Sequence, residues 1–197
     1  MPSRIVRIAA TTVAGLALLT ACSSGGGAAQ PSTPESPSSA PSNASGPKVP
    51  APLPTDALMN DPCSVLTADG ATQVGLALPG TKDTNDLAGC SWRSSGNSVN
   101  SVGITVVPQN TSGISDIYAQ KDAQAYFTPV SIDGYPGVFS AKTDLRPSGN
   151  CQLWVGVTDQ LAVAATALIS VGPNKNDPCS IAQKFANAMI TQLKAQA

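Results

Sequence analysis

Histidine is absent from this chain of 197 residues, and the absence removes several chemistries at once. Ser-His and Cys-His devices need an imidazole as their base, so both are excluded. Charge is scarce as well. Charged residues make up 12% of the sequence, and beyond position 55 there is no glutamate: eight Lys or Arg face eleven Asp, a net of −3. No Lys or Arg cluster forms the basic stripe that nucleic acid requires or the patch that suits anionic headgroups, so nucleic acid is excluded as a partner. None of Lys82, Lys121, Lys142, Lys175 and Lys184 falls in a Ser-x-x-Lys motif. Asp83 with Asp86, and Asp56 with Asp61, lack the dense oxygen pattern and central glycine of a calcium loop and read as turns and helix caps. No catalytic residue, cofactor or metal ligand is assigned, and the expectation is a protein that is not an enzyme.

Long apolar runs are missing too. The longest follows Arg4 and Arg7 and covers residues 8–19, well short of the ~20 residues a helix needs to cross a bilayer. What is present there is more specific. A basic start, a short apolar run and Leu19-Thr20-Ala21-Cys22 form a secretory signal whose cysteine marks lipoprotein processing. The thiol of Cys22 takes diacylglycerol and cleavage precedes it, so residues 1–21 are the signal peptide. Cys22 is then the lipidation site, its palmitate-type acyl chains holding the protein at the outer face of the cytoplasmic membrane.

Residues 22–55 read as the lipidated cysteine and a disordered tether. Eight prolines and eight serines lie between positions 23 and 55, with only Val49 and Leu53 as sizeable apolar side chains. Nothing there offsets the entropy of ordering. Residues 56–197 have the size of one domain and can bury a two-layer core.

Four cysteines remain, Cys63, Cys90, Cys151 and Cys179, an even number in an exported chain, so two disulfides are expected. A zinc site is improbable, because no two of them are closely spaced and histidine is lacking. A short repeat bears on the pairing: Asn60-Asp61-Pro62-Cys63-Ser64 recurs as Asn176-Asp177-Pro178-Cys179-Ser180. In each copy Asp suits a helix cap, Pro the first helical position and Cys the first turn. Cys90 and Cys151 each open a strand that soon carries Trp92 or Trp154. The reading followed here staples helix to strand, Cys63 with Cys90 and Cys151 with Cys179, while the two pairings across the chain stay open on sequence.

Periodicity fills in the rest. A helical turn is expected over 61–66 and a helix over 68–74. Strands follow at 90–93 and 101–107, then an amphipathic helix over 113–125 with Ile114, Ile117 and Tyr118. Strands are expected at 127–132 and 138–141 around the turn Asp133-Gly134-Tyr135-Pro136-Gly137, and at 152–158 and 161–171. The last is apolar on both faces and suits a sheet centre. A helix over 178–194 ends the chain, with Ile181, Phe185, Met189 and Leu193 at four-residue intervals. The fold class is α+β, one antiparallel or mixed sheet of about five to six strands covered by helices and stapled by two disulfides.

This layout resembles the actinobacterial, especially mycobacterial, lipoproteins of the family called domain of unknown function 3558. The lipobox and Ser/Pro tether, Asp61-Pro62-Cys63 with Leu66-Thr67, Cys90-Ser91-Trp92, Gly134-Tyr135-Pro136-Gly137 and the alanine-rich last helix carry the resemblance. It implies an envelope lipoprotein with a compact α+β domain, supports joining Cys63 to Cys90, and transfers no catalytic residue.

The function expected is a non-catalytic protein-binding or regulatory module, monomeric, lipid-anchored and acting on an envelope partner. The second reading is a carrier of a lipid or other apolar ligand in a cavity between helices and sheet. Tyr118, Tyr126, Phe127, Tyr135 and Phe139 lie close in sequence and could line a groove, although core use suits them better. Cys22→Ala is expected to release the protein from membranes or leave an uncleaved precursor, since each buried CH₂ of the lost acyl chains contributes about 0.8 kcal/mol. Fractionation and mass measurement check this, and a mutant processed and retained normally would refute it.

Overall fold

A computed structural model describes residues 46–84 and 87–197. The expected signal peptide, the expected lipidation site Cys22 and the part of the expected tether before residue 46 lie outside the described residues, as does Asp86. Among the described residues no helix is long and apolar enough to cross a membrane.

The helices are α1 (Asp56–Asn60), α2 (Ala68–Val74), α3 (Ile114–Tyr118) and α4 (Pro178–Lys194). The strands are β1 (Thr81–Lys82), β2 (Gly89–Arg93), β3 (Ser101–Val106), β4 (Tyr126–Ile132), β5 (Tyr135–Ala141), β6 (Asn150–Thr158) and β7 (Leu161–Leu168). They form one seven-stranded sheet in the order β1-β2-β3-β7-β6-β5-β4, antiparallel at every junction. The expected five to six strands are thus corrected to seven. The additional strand is β1, two residues within a polar stretch, held to β2 through Thr81–Ser91 and Lys82–Cys90. So short a strand carries no hydrophobic alternation to read.

Alternation along the sheet separates two faces. Val102, Ile104, Val106, Leu153, Val155, Val163, Ala165 and Ala167 belong to one core with the buried stripe of α4, Ile181, Phe185, Met189 and Leu193. Trp92 and Phe185 meet within it, ring centroids 5.2 Å apart. On the opposite face Ile114 and Ile117 of α3 pack on Val138 and Ala162. The alanines of β7 therefore admit a helix on each side.

Local chemistry explains the ends. The Thr67 hydroxyl caps α2 by accepting from the Gly70 N–H at 3.1 Å. Asp177 caps α4 by accepting from the Ser180 N–H at 3.3 Å. The first copy of the repeat differs from expectation: Asp61 makes no side-chain cap, and Pro62–Val65 is a 3-10 turn. The two copies still share backbone geometry, with φ −139° at both Asp61 and Asp177. In each, the serine hydroxyl returns to the aspartate carbonyl, at 2.8 Å for Ser64 and 2.9 Å for Ser180. Disulfides join Cys63 to Cys90 and Cys151 to Cys179, with Cα atoms 5.2 and 5.1 Å apart.

Three further expectations need correction. The helix read over 113–125 stops at Tyr118 and gives way to a 3-10 turn, Lys121–Ala123. The β4–β5 turn is only Asp133-Gly134, both at positive φ (49° and 85°), so Tyr135, Pro136 and Gly137 belong to β5. A two-residue turn of that hand matches the twist of the flanking strands. β7 ends at Leu168, short of the expected 171.

Residues 46–55, expected as the end of a disordered tether, instead lie against the domain at the β6–β7 turn, because Val49 and Leu53 reach the main core. Pairing along β6 skips a residue between Gly156–Ala162 and Thr158–Leu161, and the Val157 carbonyl accepts the Leu53 N–H at 2.9 Å. Asp159 accepts from the Val49 N–H at 3.2 Å and pairs with Lys48 at 3.3 Å.

Gly80 sits against the first disulfide: an added Cβ would lie 2.5 Å from both Cys90 Sγ and Trp92 Nε1. Neither atom can retreat, one being cross-linked and the other fully buried. Gly80→Ala should lower stability by about 1–3 kcal/mol through overpacking. Gly96→Ala, where the new methyl meets nothing within 4 Å, is the control. Urea unfolding midpoints of the two variants check this, and equal midpoints would refute it.

Candidate functional site

The site follows from the connection between β3 and β4. β3 sits near the middle of the sheet and β4 at its far edge, so the chain between them must pass over one face. It does so through α3, which covers only part of that face. Tyr118 of α3 meets Phe127 of β4 edge to face, centroids 4.9 Å apart. Trp154 of β6 packs beside this cluster and remains partly exposed. The uncovered edge of the helix bounds a groove of about 420 Å³ lined by Val107, Asn110, Ile117, Gln120, Gln124, Ala141, Lys142, Gln152 and Trp154. Register explains the arrangement. Trp154 pairs with Ala164 and Val138, and Gln152 with Thr166, so small neighbours leave the indole and the amide standing clear.

A smaller hollow of about 240 Å³ adjoins the groove through Ala141 and Gln152 and is lined also by Tyr126, Thr143, Leu145, Asn150 and Thr166. Tyr126 is fixed from two sides. Its oxygen accepts the Gln152 N–H at 3.3 Å, and the Arg146 guanidinium carbon lies 4.1 Å from its ring centroid. Arg146 in turn grips Asp144 with two bonds, Nε at 2.8 Å and Nη2 at 2.6 Å. The hydrogen bonds from Arg146 hold the Asp144 carboxyl down at about 2. Partial burial raises the Tyr118 and Tyr126 hydroxyls above the usual phenol range.

A second feature lies where β7 ends. Val74, Leu76, Val102, Ile169, Val171 and Ile181 line a pocket of about 230 Å³. Asn100 closes its rim: its Oδ1 accepts the N–H groups of Ser170 (2.9 Å) and Val171 (3.1 Å), and its Nδ2 donates to the Val171 carbonyl (3.0 Å). Val171, 41% exposed, lines the pocket, Val99, 54% exposed, precedes Asn100, and Leu168, 44% exposed, ends β7 on the other parity of the strand.

The expected residues distribute as follows. Cys63, Cys90, Cys151 and Cys179 are consumed in the two disulfides. Asp56 and Asp61 are exposed at the two ends of α1. Among the described residues, no group of three or more acidic or cysteine side chains is placed to hold a metal ion. The aromatic cluster does not line one groove: Tyr118 and Phe127 lie on the α3 side, whereas Tyr135 and Phe139 belong to the α4 core. Sequence reasoning missed Gln120, Gln124, Gln152 and the exposed side of Trp154. The available signal was the alternation of β6, where Cys151, Leu153 and Val155 point inward and Trp154 falls on the polar parity.

Fold and site together define a disulfide-stapled α+β domain whose surface hollows are lined by amides, hydroxyls and a few apolar side chains. The model of the family described as protein of unknown function (DUF3558) matches residues 17–192, and the chain belongs to that family. No curated protein and no solved structure matches the chain.

Asp144 has a depressed folded-state value, so its contribution to stability is complete above the ordinary value of 3.8 and is lost as pH falls through about 2. Arg146→Ala should return the carboxyl titration toward 3.8. Carbon-detected NMR of the Asp144 carboxyl reads this, and an unmoved titration would show that Arg146 is not the cause.

Proposed function

We propose that the chain is an envelope lipoprotein of actinobacterial type, anchored through Cys22 at the outer face of the cytoplasmic membrane, whose domain is a non-catalytic, protein-binding module. The polarity of the domain carries this reading. Residues 46–55 reach the domain at the β6–β7 turn, where Asp159 holds Val49 and Lys48. The exposed apolar side chains Leu168 and Val171 stand at the other end of β7. Eight residues of strand separate the two ends, roughly 25 Å at about 3.3 Å per residue. The surface around Leu168 and Val171 is thus remote from the point where residues 46–55 meet the domain, and the tether does not obstruct it. The residues between Cys22 and Gly46 allow a reach of at most about 80 Å.

The packing between α4 and the sheet supports surface binding over carriage of an enclosed ligand. Phe185, Met189, Ile190 and Leu193 are fully buried there beside Trp92, Leu153 and Val155.

A photo-crosslinking residue placed at Val171 of the full chain in native membranes should give a discrete protein adduct that one placed at Gln160 does not. Leu168→Asp should abolish the adduct while leaving the disulfides intact. Equal labelling from both positions, or an adduct indifferent to Leu168→Asp, would defeat the proposal.

A further inference from the structure

We infer that the groove beside α3 is a binding site for a neutral sugar chain, with the partly exposed face of Trp154 as the stacking platform. The site lies on the outer sheet face, and neither it nor the apolar end depends on the other. Its lining decides the ligand class. Asn110, Gln120, Gln124 and Gln152 contribute four amides, and Lys142 the one charge. A pyranose presents a face of C–H groups, which suits a flat indole, and a rim of hydroxyls, each both donor and acceptor, which suits amides.

The amides have capacity to spare. Among the described residues Gln120 and Gln124 bond through Nε2 alone, donating to the carbonyls of Asp116 (3.0 Å) and Gln120 (3.3 Å), which leaves each Oε1 as an acceptor. Gln152 is engaged through its backbone N–H, on the Tyr126 oxygen, and among the described residues no hydrogen bond holds its amide or that of Asn110. These amides thus line the groove with hydrogen-bonding capacity that no protein group among the described residues takes up.

Extent and charge narrow the class further. The groove of about 420 Å³ and the hollow of about 240 Å³ share Ala141 and Gln152 in their linings, so the two neighbouring hollows suit a chain of rings better than a single one. An anionic ligand would want several cations where only Lys142 lines the groove. A peptide adding to the sheet would want an open edge. The edges here are β1, with two residues, and β4, interrupted by Pro129.

The chain reports on this site directly, because it holds two tryptophans and Trp92 is fully buried. The full chain, purified in a detergent without a sugar headgroup, is titrated with hexaoses of glucose, mannose and N-acetylglucosamine, and acrylamide quenching of tryptophan emission is followed. At least one hexaose should shield Trp154 saturably below about 10 mM, the weak end of specific affinity. Gln152→Ala should weaken that binding about 5- to 10-fold, the effect of losing one neutral hydrogen bond. By calorimetry, Trp154→Ala should remove it and Trp154→Phe should keep part of it. Absence of shielding by all three hexaoses, shielding by phosphatidylglycerol vesicles alone, or binding indifferent to both Trp154→Ala and Gln152→Ala would each overturn the assignment. The crosslinking result at Val171 stands or falls separately.

Discussion

The pairing of β3 with β7 is the constraint on which the rest of the molecule depends. Six residue pairs, from Ser101–Leu168 to Val106–Val163, join the meander β1-β2-β3 to the meander β4-β5-β6-β7. The junction closes a loop of more than fifty residues, an entropic cost that local hairpins do not meet. Once it forms, the chain leaving β3 must cross the sheet to reach β4, and the chain leaving β7 must return over the opposite face. Helix α3 and helix α4 are those two crossings. The first is short and covers part of its face, which creates the groove. The second is long and seals its face into the main core.

The disulfides act on the second crossing and on the start of the chain, leaving the groove side alone. Cys151–Cys179 pins the first turn of α4 to β6, and Cys63–Cys90 pins the 3-10 turn to β2. In the chain-entropy account, loops of 27 and 28 residue steps each contribute about 3–4 kcal/mol. At the far end of α4, Lys194 binds the Asp133 carbonyl at 2.7 Å and its carboxylate at 2.8 Å, so the helix is held at both ends. The α3 side has no cross-link. Its cluster is small, Ile114 and Ile117 on Val138 and Ala162, and the outer face is the softer of the two.

Much of this was legible in the residues, for identifiable reasons. Helix α4 announces itself through Asp177, Pro178 and the four-residue interval of Ile181, Phe185, Met189 and Leu193. The centrality of β7 follows from an apolar run with no polar parity. Helix α3 was overread because Ala119, Gln120 and Ala123 are acceptable in a helix, whereas the connection to β4 ends α3 at Tyr118. β1 was invisible because two polar residues pair only through their backbone. The groove was invisible for a different reason: its lining comes from the loop after β3, the α3 segment, the end of β5 and β6, separated by up to 47 positions, and no local pattern records which amides converge.

The scarcity of charge also bears on how the surfaces can work. Long-range steering needs summed charge, and the domain, with a net of −3 spread over eight cations and eleven anions, supplies little. Its ion pairs are local and exposed, such as Lys48–Asp159 and Arg146–Asp144, and they orient chain segments more than they add stability. What remains for recognition is short-range: the apolar rim around Asn100, and the amides and indole beside α3. Contacts of that kind act only at van der Waals or hydrogen-bond distance and respond weakly to ionic strength. Such a surface gains most from being held near its target, because a tether raises the effective concentration without adding a contact. The low charge of the domain therefore suits recognition by short-range contact more than by long-range steering, and the tethering proposed above would supply the proximity that such contact needs.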